Sequence, residues 1–186
     1  MPVTMVHLLV ADKVKPNGEA AFYVGNCAPD AIPDYHEKDK RHFRDQDRQV
    51  VLADLAKETI GAFAEGMLLH LFVDWKWDST LLSKYISEAG ENWFPSYSVE
   101  KDHLAGYYYH NVERLRQIVN DMRVLDMDSY GTTPGATSED VKRFIERQQK
   151  WHSENVFEPS LAFPPNVVDH FVAETAKEYS EWFNHK

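Results

Sequence analysis

From Asp47 to Asp74 the chain contains no proline, and Val50, Val51, Leu55, Ile60, Phe63, Met67, Leu68, Leu71 and Phe72 recur at three- and four-residue steps. That spacing follows the 3.6-residue turn of an α-helix, not the two-residue alternation of a strand, so the segment predicts one long helix or two joined near Thr59 to Gly61. The same period returns over most of the sequence, while alternating runs bounded by turn residues are scarce. The expected fold class is therefore all-α, a single-domain helical bundle. Helices are expected from Thr4 to Lys13, Glu19 to Cys27, Asp78 to Glu88, Val99 to Leu125, Thr137 to Val156 and Asn166 to Phe183. Between them lie the turn Lys15-Pro16-Asn17-Gly18, the turn-rich stretch Ser129 to Ala136, and the break from Pro159 to Pro165. Pro29 disfavours a helical conformation at Ala28 and so ends the second helix. The polar stretch from Pro29 to Asp45 and the aromatic stretch from Gly90 to Ser98 both read as loops.

With 186 residues, 43% of them hydrophobic, the chain supports one sizeable core, and residues 1–186 are expected as one domain. No internal repeat or long linker divides it. Thirty acidic residues against twenty basic ones leave a formal net charge of -10, which repels nucleic-acid backbones and anionic membranes. No basic patch offsets that field in the sequence: the densest cationic stretch, Lys38 to Arg48, is interleaved with Asp39, Asp45 and Asp47. The single cysteine, Cys27, excludes an intramolecular disulfide framework. No stretch approaches the roughly 20 apolar residues of a spanning helix. The N-terminal run has no basic region or cleavage site of a signal peptide, so a cytoplasmic protein is expected.

The segment from Gly66 to Asp74 carries the clearest chemistry. His70 and Asp74 stand at i and i+4 on one helical face, where an imidazole and a carboxylate can grip one divalent ion. Gly66, a turn earlier on that face, leaves room for a close neighbour. The plainer reading is a buried histidine hydrogen-bonded to a helix-mate carboxylate. His7 lies among Val3, Val6, Leu8 and Val10, on an apolar face where a histidine needs a partner or a ligand. Asp30 follows Pro29 on a rigid turn that would present its carboxylate, or serves as a capping residue. His42 sits in the polar loop beyond, where a solvated surface histidine is the ordinary expectation.

Taken in order, these pieces acquire a pattern. A first helix carrying His7, the segment Tyr23-Val24-Gly25-x-x-Ala28-Pro29-Asp30, the segment Lys40-Arg41-His42-Phe43, and Phe63-x-x-Gly66-x3-His70-x3-Asp74 together resemble the zinc-dependent phospholipase C family and its P1-nuclease relatives. The resemblance covers Met1 to about Thr80. It implies an α-helical bundle with a metal cluster in a cleft. It also implies that Asp30, His42, His70 and Asp74 ligate one zinc and that His7 ligates a second, which Asp74 would share. Asp30 could bridge the metals, and its free oxygen could orient or deprotonate the attacking water as the catalytic base. One or two zinc ions are implied, with manganese or iron as alternatives for the same ligands.

The sequence also departs from that family. The secreted relatives use a processed N-terminal tryptophan as a ligand, whereas this chain opens Met1-Pro2. The family's further histidine after His-x3-Asp and its later His-x3-Glu pair have no match here. Asp78 is the nearest ligand-type residue, and His103, His110 and Glu113 share a helical face at i, i+7 and i+10, from which they could complete another metal position. An equally good reading makes them incidental to the Tyr107-Tyr108-Tyr109 face. Trp75, Trp77, Trp93 and Phe94 are core residues or the wall of a pocket, and Asp169-His170 reverses the order found in HD phosphohydrolases.

Three functions stay open on this evidence. The first is a metal-dependent hydrolase acting on a phosphoester, a phosphodiester foremost, through metal-activated water; its substrate would be a small phosphoester. The second is a catalytically inactive metal-binding or ligand-binding helical module on the same scaffold. The third, an HD-type enzyme, requires adjacent His-Asp ligands that the N-terminal half lacks.

Overall fold

The helix α1 (Thr4–Val14) has almost no polar face: Thr4, Met5, Val6, His7, Leu8, Val10 and Ala11 are all buried. A helix that is apolar nearly all round belongs in the middle of a fold. In the computed structural model of the chain, which describes residues 2–185, α1 packs against α2 (Ala20–Cys27), α5 (Ala62–Trp77), α7 (Trp93–Asn111), α8 (Glu113–Arg123) and α10 (Pro165–Asn184). The remaining helices are α3 (Tyr35–Arg41), α4 (Arg48–Glu58), α6 (Ser83–Ala89) and α9 (Ser138–Glu154). No strand occurs among the described residues, only an isolated bridge between Thr133 and Ala136, so the fold is all-α as expected. None of these helices is long and apolar enough to cross a membrane.

Several boundaries differ from the sequence expectation, each for a local reason. The stretch after Pro29 is not a loop throughout: a short 3-10 turn spans Ala28–Ala31, and α3 follows, capped where the Asp34 side chain accepts the Glu37 amide at 2.8 Å. The helix expected from Val99 begins earlier, at Trp93, because Pro95 falls in its first turn, where its missing N–H has no helical partner to lose. It also ends at Asn111, for Val112 is extended and the freed carbonyls of Tyr109 and His110 accept from the Arg116 guanidinium at 3.1 and 2.5 Å. Thr59 to Gly61 does divide the long apolar segment in two, with Gly61 at a φ of 83°. Asp78 starts no new helix. It is itself helical, and α5 runs through a π turn, Asp78–Leu82, into α6, with Thr80 Oγ1 donating back to the Lys76 carbonyl at 2.6 Å.

The contact that matters most for function is that of α2 with α5. Their backbones touch at two glycines. A Cβ on Gly25 would lie 2.0 Å from the Phe63 carbonyl oxygen, and one on Gly66 would lie 2.1 Å from that of Phe22. No other residue type allows so close an approach, and it brings the Asn26 amide group onto the Gly66 carbonyl at 3.3 Å. Elsewhere the core is aromatic: Trp77 is fully buried, packs on Phe163 and Phe171, and donates its indole N–H to Tyr97 at 2.9 Å.

Candidate metal centre

Four segments deliver polar side chains into one buried space beside the α2–α5 contact. His7 comes from the middle of α1, Asp30 from the 3-10 turn, His42 from the C-terminal cap of α3, and His70 with Asp74 from α5. The side chains of His7, His42, His70 and Asp74 are each 1% exposed, and that of Asp30 is 10% exposed. Burying so many polar groups is costly unless something satisfies them.

The distances show what could do so. His42 Nε2 lies 3.2 Å from His70 Nε2, and both lie 3.5 Å from Asp74 Oδ2. A tetrahedral zinc site with bonds of about 2.0–2.1 Å has ligand-to-ligand edges of about 3.3–3.4 Å. The three atoms thus form one face of such a tetrahedron. His7 Nε2 stands 3.4 Å from the other oxygen, Asp74 Oδ1, and Asp30 Oδ1 stands 3.8 Å from His42 Nε2. The donor atoms of His42, His70 and Asp74, and separately those of His7, Asp30 and His70, lie within 4.8 Å of one another.

Backbone hydrogen bonds fix which nitrogens face inward. His70 Nδ1 is 2.7 Å from the Asn26 carbonyl and His42 Nδ1 is 2.6 Å from the Lys38 carbonyl. A carbonyl only accepts, so both Nδ1 atoms carry hydrogen and, in the neutral rings, both Nε2 lone pairs point at each other. Two lone pairs at 3.2 Å repel unless a proton or a cation sits between them. Among the described residues neither nitrogen of His7 and neither oxygen of Asp74 has a hydrogen-bond partner of good geometry, and the His7 ring stacks on that of His70 with centroids 3.9 Å apart.

The electrostatics agree with a site built for a cation. Burial pushes His7 down to about 4, with the neighbouring His70 adding to the effect. Burial and His70 likewise lower His42. For His70 burial is overcome by the Asp74 and Asp30 carboxylates, which raise it. Asp74 is held well below the usual carboxylate range, against the effect of burial, by His70 and His7. Asp30 is lowered in the same way by His70 and by Lys38, whose Nζ stands 2.6 Å from Asp30 Oδ1. A proton and a divalent ion would therefore compete for the same pair of carboxylates and lone pairs. The mixed imidazole and carboxylate set suits zinc and other borderline divalent ions.

The other candidates do not join the cluster. His103 Nδ1 is 3.0 Å from the Glu158 carbonyl, and His110 Nε2 is 2.8 Å from that of His152. Glu113 is exposed in the first turn of α8. Asp78 pairs with Arg48 at 2.9 Å and lies 3.6 Å from Arg44. Asp169 and His170 are exposed, Asp169 accepting from the Tyr108 hydroxyl at 3.0 Å. Sequence reasoning missed Asn26 and Lys38 as supports of the site. Lys38 was findable, since it lies four residues before His42 on α3 and its own carbonyl orients that ring; the Asn26 carbonyl had no side-chain signal.

Comparison of the chain with protein-family models, curated proteins and solved structures yields no match.

Proposed function

We propose that the protein is a metal-dependent hydrolase of a phosphoester, a phosphodiester foremost, on a scaffold like that of the phospholipase C and P1-nuclease family. The observation that carries this reading is the face formed by His42 Nε2, His70 Nε2 and Asp74 Oδ2, with edges of 3.2, 3.5 and 3.5 Å. Those three residues and Asp30 would hold one zinc, and His7 with Asp74 Oδ1 would hold a second or complete the first. A divalent ion supplies Lewis acidity: it lowers the pKa of a water toward neutrality and stabilises the charge that develops on phosphoryl oxygens. Asp30 also lines an open cleft, so its carboxylate can orient or deprotonate a water arriving from there. Lys38 keeps that carboxylate ionised and fixed in direction. The Asn26 and Lys38 carbonyls hold the imidazoles in the ligating tautomer. A cytoplasmic location belongs to the same reading, resting on a single, buried, free Cys27.

Elemental analysis of protein purified without chelator tests the proposal. At least one equivalent of zinc, manganese or iron is expected, and His70→Ala should release it. Hydrolysis of a chromogenic phosphodiester should stop on chelation and return with metal. Protein that holds no metal refutes the reading. A second reading, a metal-stabilised module without catalysis, draws on the near-complete closure of the site, where four of the five side chains are 1% exposed. Stoichiometric metal without turnover of any phosphoester would favour it.

A further inference from the structure

A protein with a net charge of -10 repels small anions unless its fold gathers local positive charge. In the cleft that reaches Asp30, two ammonium groups offset two carboxylates, and the end of a helix adds positive potential. The cleft has a volume of about 340 Å³, at the small end of ligand sites, and lies between the start of α1, the Asp30 turn, α7 and α9. Pro2, Val3 and Thr4 line it, so the N-terminal end of α1 opens into the cleft, and among the described residues no side chain caps that end. Free amides and the positive end of the helix dipole favour an anion there. Lys38 and Lys101 add two cations from different elements. Two carboxylates also line the cleft: Asp30, which Lys38 neutralises, and the exposed Asp102. Among the described residues Lys101 makes no ion pair within 4.0 Å, though Asp30 and Asp102 lie near enough to act on its charge, and it rests its ammonium 5.5 Å from the centre of the Tyr97 ring. An adjoining cleft shares Asp30, Lys38, Phe144 and Gln148 and contributes Arg147, Asp140 and Arg143, the last paired with Glu139 and Asp140 at 3.4 and 3.9 Å.

The fourth element is His152, on the cleft wall. Its ring is 1% exposed, stacks on Tyr109, and among the described residues has no hydrogen-bond partner on either nitrogen. A buried imidazole without partners is costly in a protein that gains nothing from it. Burial and the nearby His110 lower it to about 4, so the ring is neutral near pH 7 and offers one N–H donor and one lone pair.

We propose that this cleft is a phosphate subsite, in which the α1 N-terminus, Lys101 and the N–H of His152 hold the phosphate group of a small organic substrate. The subsite stands on the cleft's own residues; its assignment to substrate rests on the hydrolase reading above. Asp30, on the boundary between cleft and metal centre, then separates the binding of the phosphate from the chemistry performed on it. The size of the cleft selects a small phosphate ester over a polymer.

Titration of the zinc-loaded protein with inorganic phosphate tests this, followed by calorimetry and by the fluorescence of Trp151, which also lines the cleft. Lys101→Gln removes a charge-assisted bond and should raise the dissociation constant about tenfold or more. His152→Phe keeps a ring against Tyr109, removes the donor, and should also weaken phosphate. Both variants should keep wild-type zinc content and circular dichroism. Phosphate binding unchanged in both variants overturns the subsite, because the anion is then held by the metal alone. A Lys101→Gln protein that loses zinc also overturns it, by making Lys101 a support of the metal centre. Failure of the hydrolase reading appears separately, as wild-type protein that takes up no zinc. In that event, phosphate binding by the metal-free protein that Lys101→Gln abolishes still supports the subsite, and no such binding refutes it.

Discussion

Adding a single methyl group at Gly66 tests the contact beside which the proposed metal centre is built. In an exposed helix interior Gly→Ala stabilises a protein by about 1 kcal/mol, since alanine is the better helix former. Here the new Cβ would lie 2.1 Å from the Phe22 carbonyl oxygen and 2.7 Å from the Asn26 amide nitrogen. Both are backbone atoms, so neither can swing aside and α2 must move as a whole. Overpacking of this kind costs about 1–3 kcal/mol. The shift also strains the bond from the Asn26 side chain to the Gly66 carbonyl and the one from His70 Nδ1 to the Asn26 carbonyl, each worth about 0.5–1.5 kcal/mol. Set against the propensity gain, Gly66→Ala should lose about 1–5 kcal/mol, and a chain of this length drops by about 2–4 °C in Tm for each kcal/mol. Urea unfolding of the metal-free protein reads the stability directly. Zinc affinity should fall about 10- to 100-fold, as it does when the partner orienting a ligating histidine is disturbed. The sign decides the matter: a Gly66→Ala protein as stable as wild type, or more stable, shows that the two helices do not touch there.

Two further outcomes are expected. Chelation should lower Tm, and restoring zinc at a hundred times its dissociation constant should raise stability by about 2.7 kcal/mol, read as a concentration-dependent shift in differential scanning fluorimetry; a Tm indifferent to zinc would contradict a native-state site. Burial lowers His152 from 6.5 to about 4, so below pH 6.5 the unfolded chain takes the proton first and stability is lost as the pH falls toward 4. At pH 5 the loss attributable to this ring is about 2 kcal/mol; His152→Phe should lose that much less than wild type between pH 7 and 5, and equal slopes would exclude the buried neutral imidazole.

Where the sequence pattern was strong, the fold could be read from it. The end of α2 before Pro29, the Thr137 capping box of α9, completed when Asp140 accepts the Thr137 amide at 3.0 Å, and the division at Gly61 were all visible as local chemistry. The interruption at Val112 was not, because it depends on Arg116 reaching back to two carbonyls, a choice made by tertiary structure and not by propensity. Similarly α3 was hidden: none of its residues is buried, so it carries no apolar stripe to announce it. The cluster of His7, Asp30, His42, His70 and Asp74 was legible only as a set. Each residue alone has an ordinary explanation, and only the i, i+4 pair on α5 has a geometry that the sequence can specify. His152 and Lys101 gave no signal, since their meaning comes from facing Asp30 across α7 and α9.

The pairing of α1 with α10 has a consequence for biosynthesis. All five donors emerge within the first seventy-four residues, yet the helix that carries His7 packs extensively on α10, which begins only at Pro165. On a ribosome adding about 5–20 residues per second, α1 therefore waits several seconds without its α10 partner, with only the contacts to the earlier helices to cover it, while His70 and Asp74 of α5 have already emerged. His42, His70 and Asp74 can come together before Pro165 emerges, whereas α1 gains its α10 partner only afterwards, and a chaperone would find that face of α1 open in the interval.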